Sequence, residues 1–279
     1  MSMTFGHSQP PPDKKLGEKP ASGFLQNTER LRFAAEGAVS IIVVLSFWEG
    51  CVRFFDVQPY IFPAPSAVLL SLWHGIVSGI YIAALAVTVL EIIVGALIGA
   101  TAGFLLAIIM GSSRLLNRLL YPWVVGIQTI PKVAIAPLML VWFGFGIESK
   151  ILIVSLTSMF PVMINTLSGL RSTDPDQVAL VKALCGNKMK ILRFVQFPAA
   201  LPYIFAGLNT AIVLAVIAAI VAEFVGARAG IGYLILQANF ALDLAKVFSL
   251  LVVLGMLGVT LSLFMRAVEN RVCFWNRRN

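Results

Sequence analysis

The chain has 279 residues, 59% of them hydrophobic and only 12% charged, with a formal net charge of +8; its mean hydropathy is +0.91. So little polar surface excludes a water-soluble globule, and the fold class expected is all-α, a polytopic membrane protein. The positive charge is spread over several segments with no RNA- or DNA-binding motif, so nucleic acid is excluded as a partner.

Residues 1–30 contain Pro10, Pro11, Pro12 and Pro20 and few apolar side chains, and are expected to form a disordered cytoplasmic tail. The first apolar run begins too late and extends too long for a cleaved signal peptide. A helix needs about 20 mostly apolar residues to cross a bilayer. Six spans are expected on that basis, at 34–52, 81–110, 119–145, 150–170, 201–225 and 247–268, so that residues 31–279 form one transmembrane domain.

Of the 21 Lys and Arg residues, Arg53, Lys150, Arg228 and Lys246 would face outward, Lys132 lies within a span and the other 16 would face the cytoplasm. Cytoplasmic loops accumulate Lys and Arg, so this asymmetry favours an even number of crossings with both termini inside. Cys51, Cys185 and Cys273 fall on an outer helix end, an inner loop and the inner tail, and are assigned neither a disulfide nor a metal. His7 and His74 lie near no ligand cluster, and no phosphate loop, H-E-x-x-H or G-x-S-x-G is present. Enzymatic chemistry within this chain is therefore not expected.

The second span carries Gly95, Gly99 and Gly103 at four-residue spacing, a small-residue face that lets helices approach closely in lipid. The third contains Pro122, Pro131 and Pro137, so it should kink. Depth counted along the spans places Glu91 and Lys132 near the middle of the membrane at about 1.5 Å per residue. Two readings follow: the charges neutralise each other, or Lys132 meets an anionic solute in transit. Glu223, near the outer end of the fifth span, precedes Gly226, Gly230 and Gly232. Position alone makes it a solvated helix end.

Between the fourth and fifth spans lies a basic segment. Asp174 is an N-cap with Pro175 at the first helical position, Val178, Val181, Leu184 and Cys185 form an apolar stripe, and Gly186-Asn187 ends the helix. A second short helix is expected over 188–195, separated from the fifth span by Pro198 and Pro202. Gly186 is expected to adopt a positive φ at the turn. Such a hairpin serves equally as an amphipathic loop on lipid headgroups or as a protein-binding surface.

The run Ala183-Leu184-Cys185-Gly186, with Val195-Gln196-Phe197-Pro198-Ala199-Ala200-Leu201-Pro202 and Phe205-Ala206-Gly207-Leu208, resembles the cytoplasmic "EAA" loop of binding-protein-dependent ABC importer permeases. Leu180-Val181-Lys182 stands where that family carries Glu-Ala-Ala. Three further stretches resemble the branch that imports sulfonates, taurine, nitrate and related anions or heterocycles. They are 130–138 with 142–146, Phe160-Pro161 with Asn165-Thr166 and Gly169-Leu170, and Ala222-Glu223 with 230–235.

The resemblance, which runs over residues 60–276, implies a MetI-like transmembrane fold in the bacterial inner membrane. It makes 182–188 (Lys182, Ala183, Leu184, Cys185, Gly186, Asn187, Lys188) a coupling element for a cytoplasmic ATPase dimer, and ATP and Mg belong to that partner. An extracytoplasmic binding protein would deliver the solute, and Glu223 gains a gate or pathway role beside Glu91 and Lys132. Six spans are too few to enclose an alternating-access path, so a second copy is expected. The rival class is an ion-gradient-driven secondary transporter with Glu91 and Glu223 as coupling carboxylates, but no inverted repeat supports it.

Overall fold

The computed structural model describes residues 22–184 and 186–274. The chain divides into two units, Met1–Cys51 and Val52–Asn279. The tail expected over 1–30 lies outside the described residues as far as position 21; helix α1, Ser22–Phe54, begins at the next residue. Its segment Ala35–Phe54 is long and apolar enough to cross a bilayer, and Val39, Ile41, Ile42 and Val43 stand exposed along it.

The second unit is built from α2 (Pro65–Val77), α3 (Ile80–Ser112), α4 (Arg114–Gln128), α5 (Lys132–Phe143), α6 (Ile147–Arg171), α7 (Pro175–Ala183), α8 (Lys188–Ile191), α9 (Phe197–Gly226), α10 (Ile231–Phe240) and α11 (Leu244–Val272). Five helices of the described residues are long and apolar enough to span, including Ile80–Ser112, Ile147–Arg171, a continuous Lys188–Gly226 and Leu244–Val272. The region expected as a third span of 119–145 is instead two shorter helices. The chain breaks at Pro131, which has an extended ψ of 112° and no N–H to continue a helical ladder from α4 into α5. Pro122 and Pro137 are accommodated inside α4 and α5.

Helix α6 is packed between α3 and α9 and forms the centre of the unit. Close approach is possible because small residues face it from both sides. A Cβ on Gly99 would collide with the carbonyl oxygen of Ser155, one on Gly103 with that of Met159, and one on Gly95 would lie 2.6 Å from Val154. From α9, Ala215, Ala219 and Ala222 join Ile153 and Val154 of α6 and Ile92 of α3 in one buried cluster. Tight contact is what holds helices together in lipid, where apolar burial gives no preference for helix over acyl chain. The opposite faces stay apolar and open, as at Leu97, 67% exposed, and Val141, 82% exposed.

The hairpin begins as its sequence suggests and ends differently. Asp174 caps α7 by accepting from the Asp176 N–H at 2.9 Å, and the Asn187 side chain accepts from Lys190 N–H at 2.9 Å to start α8. Pro198 and Pro202, however, do not separate the second helix from the fifth span. Helix α8 passes through one π-helical stretch, Leu192–Gln196, straight into α9. A wider turn relieves the contact that the Pro198 ring would make with the preceding turn and absorbs its missing donor.

Gly186 is also not in the left-handed region: among the described residues the positive-φ glycines are Gly79, Gly144 and Gly230. Its requirement is steric, because a Cβ there would lie 2.6 Å from the Val181 carbonyl oxygen, which accepts from the Gly186 N–H at 2.9 Å.

Candidate functional site

Glu223 lies in the last turn of α9 and is completely buried, not solvated as its position suggests. Its carboxylate accepts from the N–H groups of Gly232 and Tyr233, the latter at 3.3 Å, and from the Thr88 hydroxyl at 2.7 Å. Thr88 in turn accepts from the Ile231 N–H at 2.9 Å. The first N–H groups of α10 have no partner within their own helix, and the residue before them, Gly230, has no side chain to cap them. Glu223 and Thr88 supply those acceptors from α9 and α3, with a carboxylate placed where the helix dipole favours negative charge.

The glycines that accompany Glu223 are explained by the same contact. Gly230 has φ +113, which L side chains rarely adopt, and a Cβ there would collide with the Glu223 carboxyl. A Cβ on Gly232 would lie 2.9 Å from Glu223 Oε2. The sequence run Glu223 to Gly232 is thus a helix end folded onto the start of the next helix.

Lys150, expected from sequence to face outward at the start of the fourth span, is 2% exposed in the first turn of α6. Its ammonium donates to the carbonyls of Phe145 (2.8 Å), Gly146 (3.0 Å) and Gly226 (3.0 Å). Three donors meet three acceptors, one of them the terminal carbonyl of α9, where a cation complements the dipole.

Glu91, also 2% exposed, has Glu223 and Lys150 as its charged neighbours. The pairing with Lys132 considered from sequence does not form. Lys132 starts α5, where its ammonium donates to the Gln128 carbonyl at 2.6 Å and lies 5.2 Å from the centroid of the Phe160 ring. Glu91 Oε2 is buried and has no hydrogen-bond partner. The Glu91 and Glu223 side chains lie within hydrogen-bond reach of one another. Beside the pair a cavity of 410 Å³ opens, lined by Val87, Glu91, Phe145, Gly146, Ile147, Lys150 and 227–229.

The hairpin residues sit on other helices. No residue of α7 is buried, Leu184 is 73% exposed, and Lys182, Ala183, Asn187 and Lys188 are exposed as well. Cys185 lies outside the described residues. Sequence reasoning brought Glu91, Glu223 and the hairpin forward but missed Thr88 and Lys150. A hydroxyl within an apolar helix gives no signal, whereas Lys150 stood at the first position of an apolar run, which is where a cation reaching for a neighbouring helix end is found.

Helices that cross a bilayer, a tight glycine-lined three-helix centre and an exposed basic hairpin define a multi-pass membrane protein of the transport-permease class. Residues 99–273 match the family described as binding-protein-dependent transport system inner membrane component, and the chain belongs to that family. It is 30% identical over 245 residues to the formylaminopyrimidine transport permease protein ThiX of Halalkalibacterium halodurans, covering 88% of this chain and 97% of that one. It is 27% identical to the taurine transport system permease protein TauC of Escherichia coli, covering 85% of this chain and 88% of that one. Among solved structures, a chain in a crystal structure of an amino acid ABC transporter with histidines has the same fold at a TM-score of 0.57 and 17% identity, with 72% of this chain and 96% of that chain covered.

Proposed function

We propose that this chain is the membrane permease subunit of an ATP-driven importer for a small anionic or heterocyclic solute, that it works as a pair of identical subunits, and that it performs no chemistry of its own. The observation that supports this best is the bare hairpin: α7 buries none of its residues and presents Lys182, Leu184 and Lys188 together. In a chain whose other long helices pack or face lipid, such an element is shaped for a partner. A cytoplasmic ATPase dimer, which holds the ATP and Mg, would grip the tip, with the lysines steering toward an acidic cleft. Closure of that dimer displaces α8, and because α8 is continuous with α9, the displacement reaches Gly226 and the Glu223–α10 junction without crossing a flexible joint.

In this reading both termini are cytoplasmic, the α4–α5 pair crosses the inner membrane as one broken span, and the α10 end meets an extracytoplasmic binding protein. The relatives' names carry both a heterocycle and an aminosulfonate, which supports the solute class. The test is reconstitution with and without the ATPase: uptake should require it, and Leu184→Asp should abolish capture of the ATPase by the purified permease. Uptake in vesicles lacking any ATPase would instead favour an ion-gradient transporter. Against that rival, Glu223 Oε2 already holds α10 and Oε1 accepts from Thr88 of α3, so both oxygens are poorly placed to exchange an ion.

A further inference from the structure

We infer that the groove where the hairpin runs into α9 is a binding site for an anionic phospholipid of the inner leaflet, with the first part of an acyl chain in the groove and the phosphate on Arg193 and Lys190. The inference takes from the importer reading only the side of the membrane on which the hairpin stands.

The groove has a volume of 270 Å³ and is walled by Phe104 and Ile108 of α3, Leu170 of α6 and Phe197 of α9, with Met189 and Arg193 on the hairpin side. Phe104 and Phe197 meet edge to face at 6.2 Å. The lining is apolar throughout, so Arg193 gives the groove its stem and keeps its charged end at the exposed surface. That guanidinium lies 5.7 Å from the centroid of the Phe194 ring.

Depth narrows the choice of occupant. Helix α3 has 33 residues, about 50 Å at 1.5 Å per residue, and so overruns a hydrocarbon core of about 30 Å. Its last turns therefore stand in the headgroup layer. Phe104 comes eight residues before Ser112, where α3 ends, which is about 12 Å down the helix. Leu170 is the last residue but one of α6. The groove thus straddles the boundary between headgroups and hydrocarbon, below the hairpin tip that a soluble partner would reach.

Apolar walls alone select no lipid, because acyl chains meet apolar side chains all over such a surface. Selection comes from charge. No Asp or Glu occurs between Asp176 and Glu223, whereas Lys182, Lys188, Lys190 and Arg193 do. Lys190 lies three residues before Arg193, one helical turn along the same face, and both are exposed. Basic side chains beside a cleft between membrane helices suit an anionic headgroup, and a guanidinium pairs with phosphate through two parallel hydrogen bonds. A second copy of the chain fits less well, since a two-fold contact would set against the groove a surface whose inner ends carry the same excess of Lys and Arg.

The permease is purified with its ATPase in a neutral detergent and titrated with dioleoyl phosphatidylglycerol or dioleoyl phosphatidylcholine, and the lipids retained per permease are counted by native mass spectrometry. One phosphatidylglycerol should bind about tenfold or more tightly than phosphatidylcholine. Arg193→Gln should remove most of that preference. Met189→Trp, which fills the groove from a position 65% exposed, should weaken retention of the lipid, and Arg118→Gln, an exposed base on α4, should change neither. Glycerol phosphate, the headgroup chemistry without chains, should not compete. Equal retention of the two lipids, unchanged preference in Arg193→Gln, unchanged retention in Met189→Trp, an equally large effect of Arg118→Gln, or competition by glycerol phosphate overturns the inference. So does loss of a second permease copy from the Met189→Trp complex, which would show the groove to be covered by protein. Capture of the ATPase without a lipid preference sinks this site alone, whereas a permease that retains phosphatidylglycerol but never captures an ATPase sinks the importer reading and leaves the site standing.

Discussion

Where α9 ends, Glu223 and Lys150 are withdrawn from solvent and each of their polar atoms has a partner. Where α7 ends, Lys182, Lys188 and Lys190 stand exposed around an equally exposed Leu184. Both places carry charge, and both would read as polar helix ends. The difference lies in what the charges satisfy. At the α9 end they terminate helices: a carboxylate on the first N–H groups of α10, an ammonium on the last carbonyl of α9. At the hairpin those tasks fall to Asp174 and Asn187, which cap locally, and the lysines are left free for something outside the chain.

The largest effect should follow from breaking the first arrangement. Glu223→Ala removes the acceptor for two backbone N–H groups and leaves Lys150 buried beside Glu91 alone. Breaking a buried, hydrogen-bonded charge network costs about 3–5 kcal/mol. Thermal unfolding in detergent should show a large drop, with poor recovery of folded protein. Lys150→Met should behave similarly, since three carbonyls lose their donor. If either variant unfolds within a degree or two of the parent, the α9 end is not organised as described.

Next comes the helix centre on which both ends are mounted. Gly99→Ala forces a methyl against the backbone oxygen of Ser155, and backbone cannot move aside as a side chain can. Overpacking of this kind costs about 1–3 kcal/mol. Gly111→Ala, whose added carbon would meet only the end of the Leu170 side chain at 3.2 Å, is the matched control and should cost less. Equal losses in the two would show that α3 and α6 are not held at backbone contact.

How far these two regions could be read in the sequence differs for a physical reason. The caps of the hairpin are local: Asp174, Pro175 and Asn187 act within three residues of themselves, and spacing is enough to find them. Glu223 instead caps a helix through contacts that need three different helices to meet. Its neighbours Gly230 and Gly232 were visible as a cluster, but their purpose was not. Counting depth along spans paired Glu91 with Lys132 because it assumed that all spans start at one level. The helices are staggered, so a residue well inside α3 meets the first turn of α6 at Lys150 and the last turn of α9 at Glu223. Proline was equally ambiguous. Pro131 breaks a helix at its N-cap, whereas Pro198 is absorbed by a π-helical stretch; only the backbone around each decides.

The stagger makes a further test of the pairing. Exchanging the charges of Glu91 and Lys132 in one double variant should not restore what either single change loses, because Lys132 interacts with the Gln128 carbonyl and the Phe160 ring and not with Glu91. The two single effects should add, as they do for sites without shared partners, to within about 0.5 kcal/mol. A coupling energy well above that, measured from unfolding of the four proteins of the cycle, would bring the two charges back together.

The smallest effect on stability should come from the hairpin. Leu184→Ala truncates a side chain that touches almost nothing, and substitutions at such surface positions stay within about 0.5 kcal/mol. The unfolding temperature should therefore be unchanged while capture of the ATPase falls. This variant separates the two ends of the comparison most cleanly: a residue that stabilises nothing in its own chain has no reason to be large and apolar in a basic, exposed turn unless a partner buries it. A marked fall in unfolding temperature would mean that the tip packs on its own subunit, and the hairpin would then be one more internal helix end, with its lysines facing lipid headgroups and not a motor.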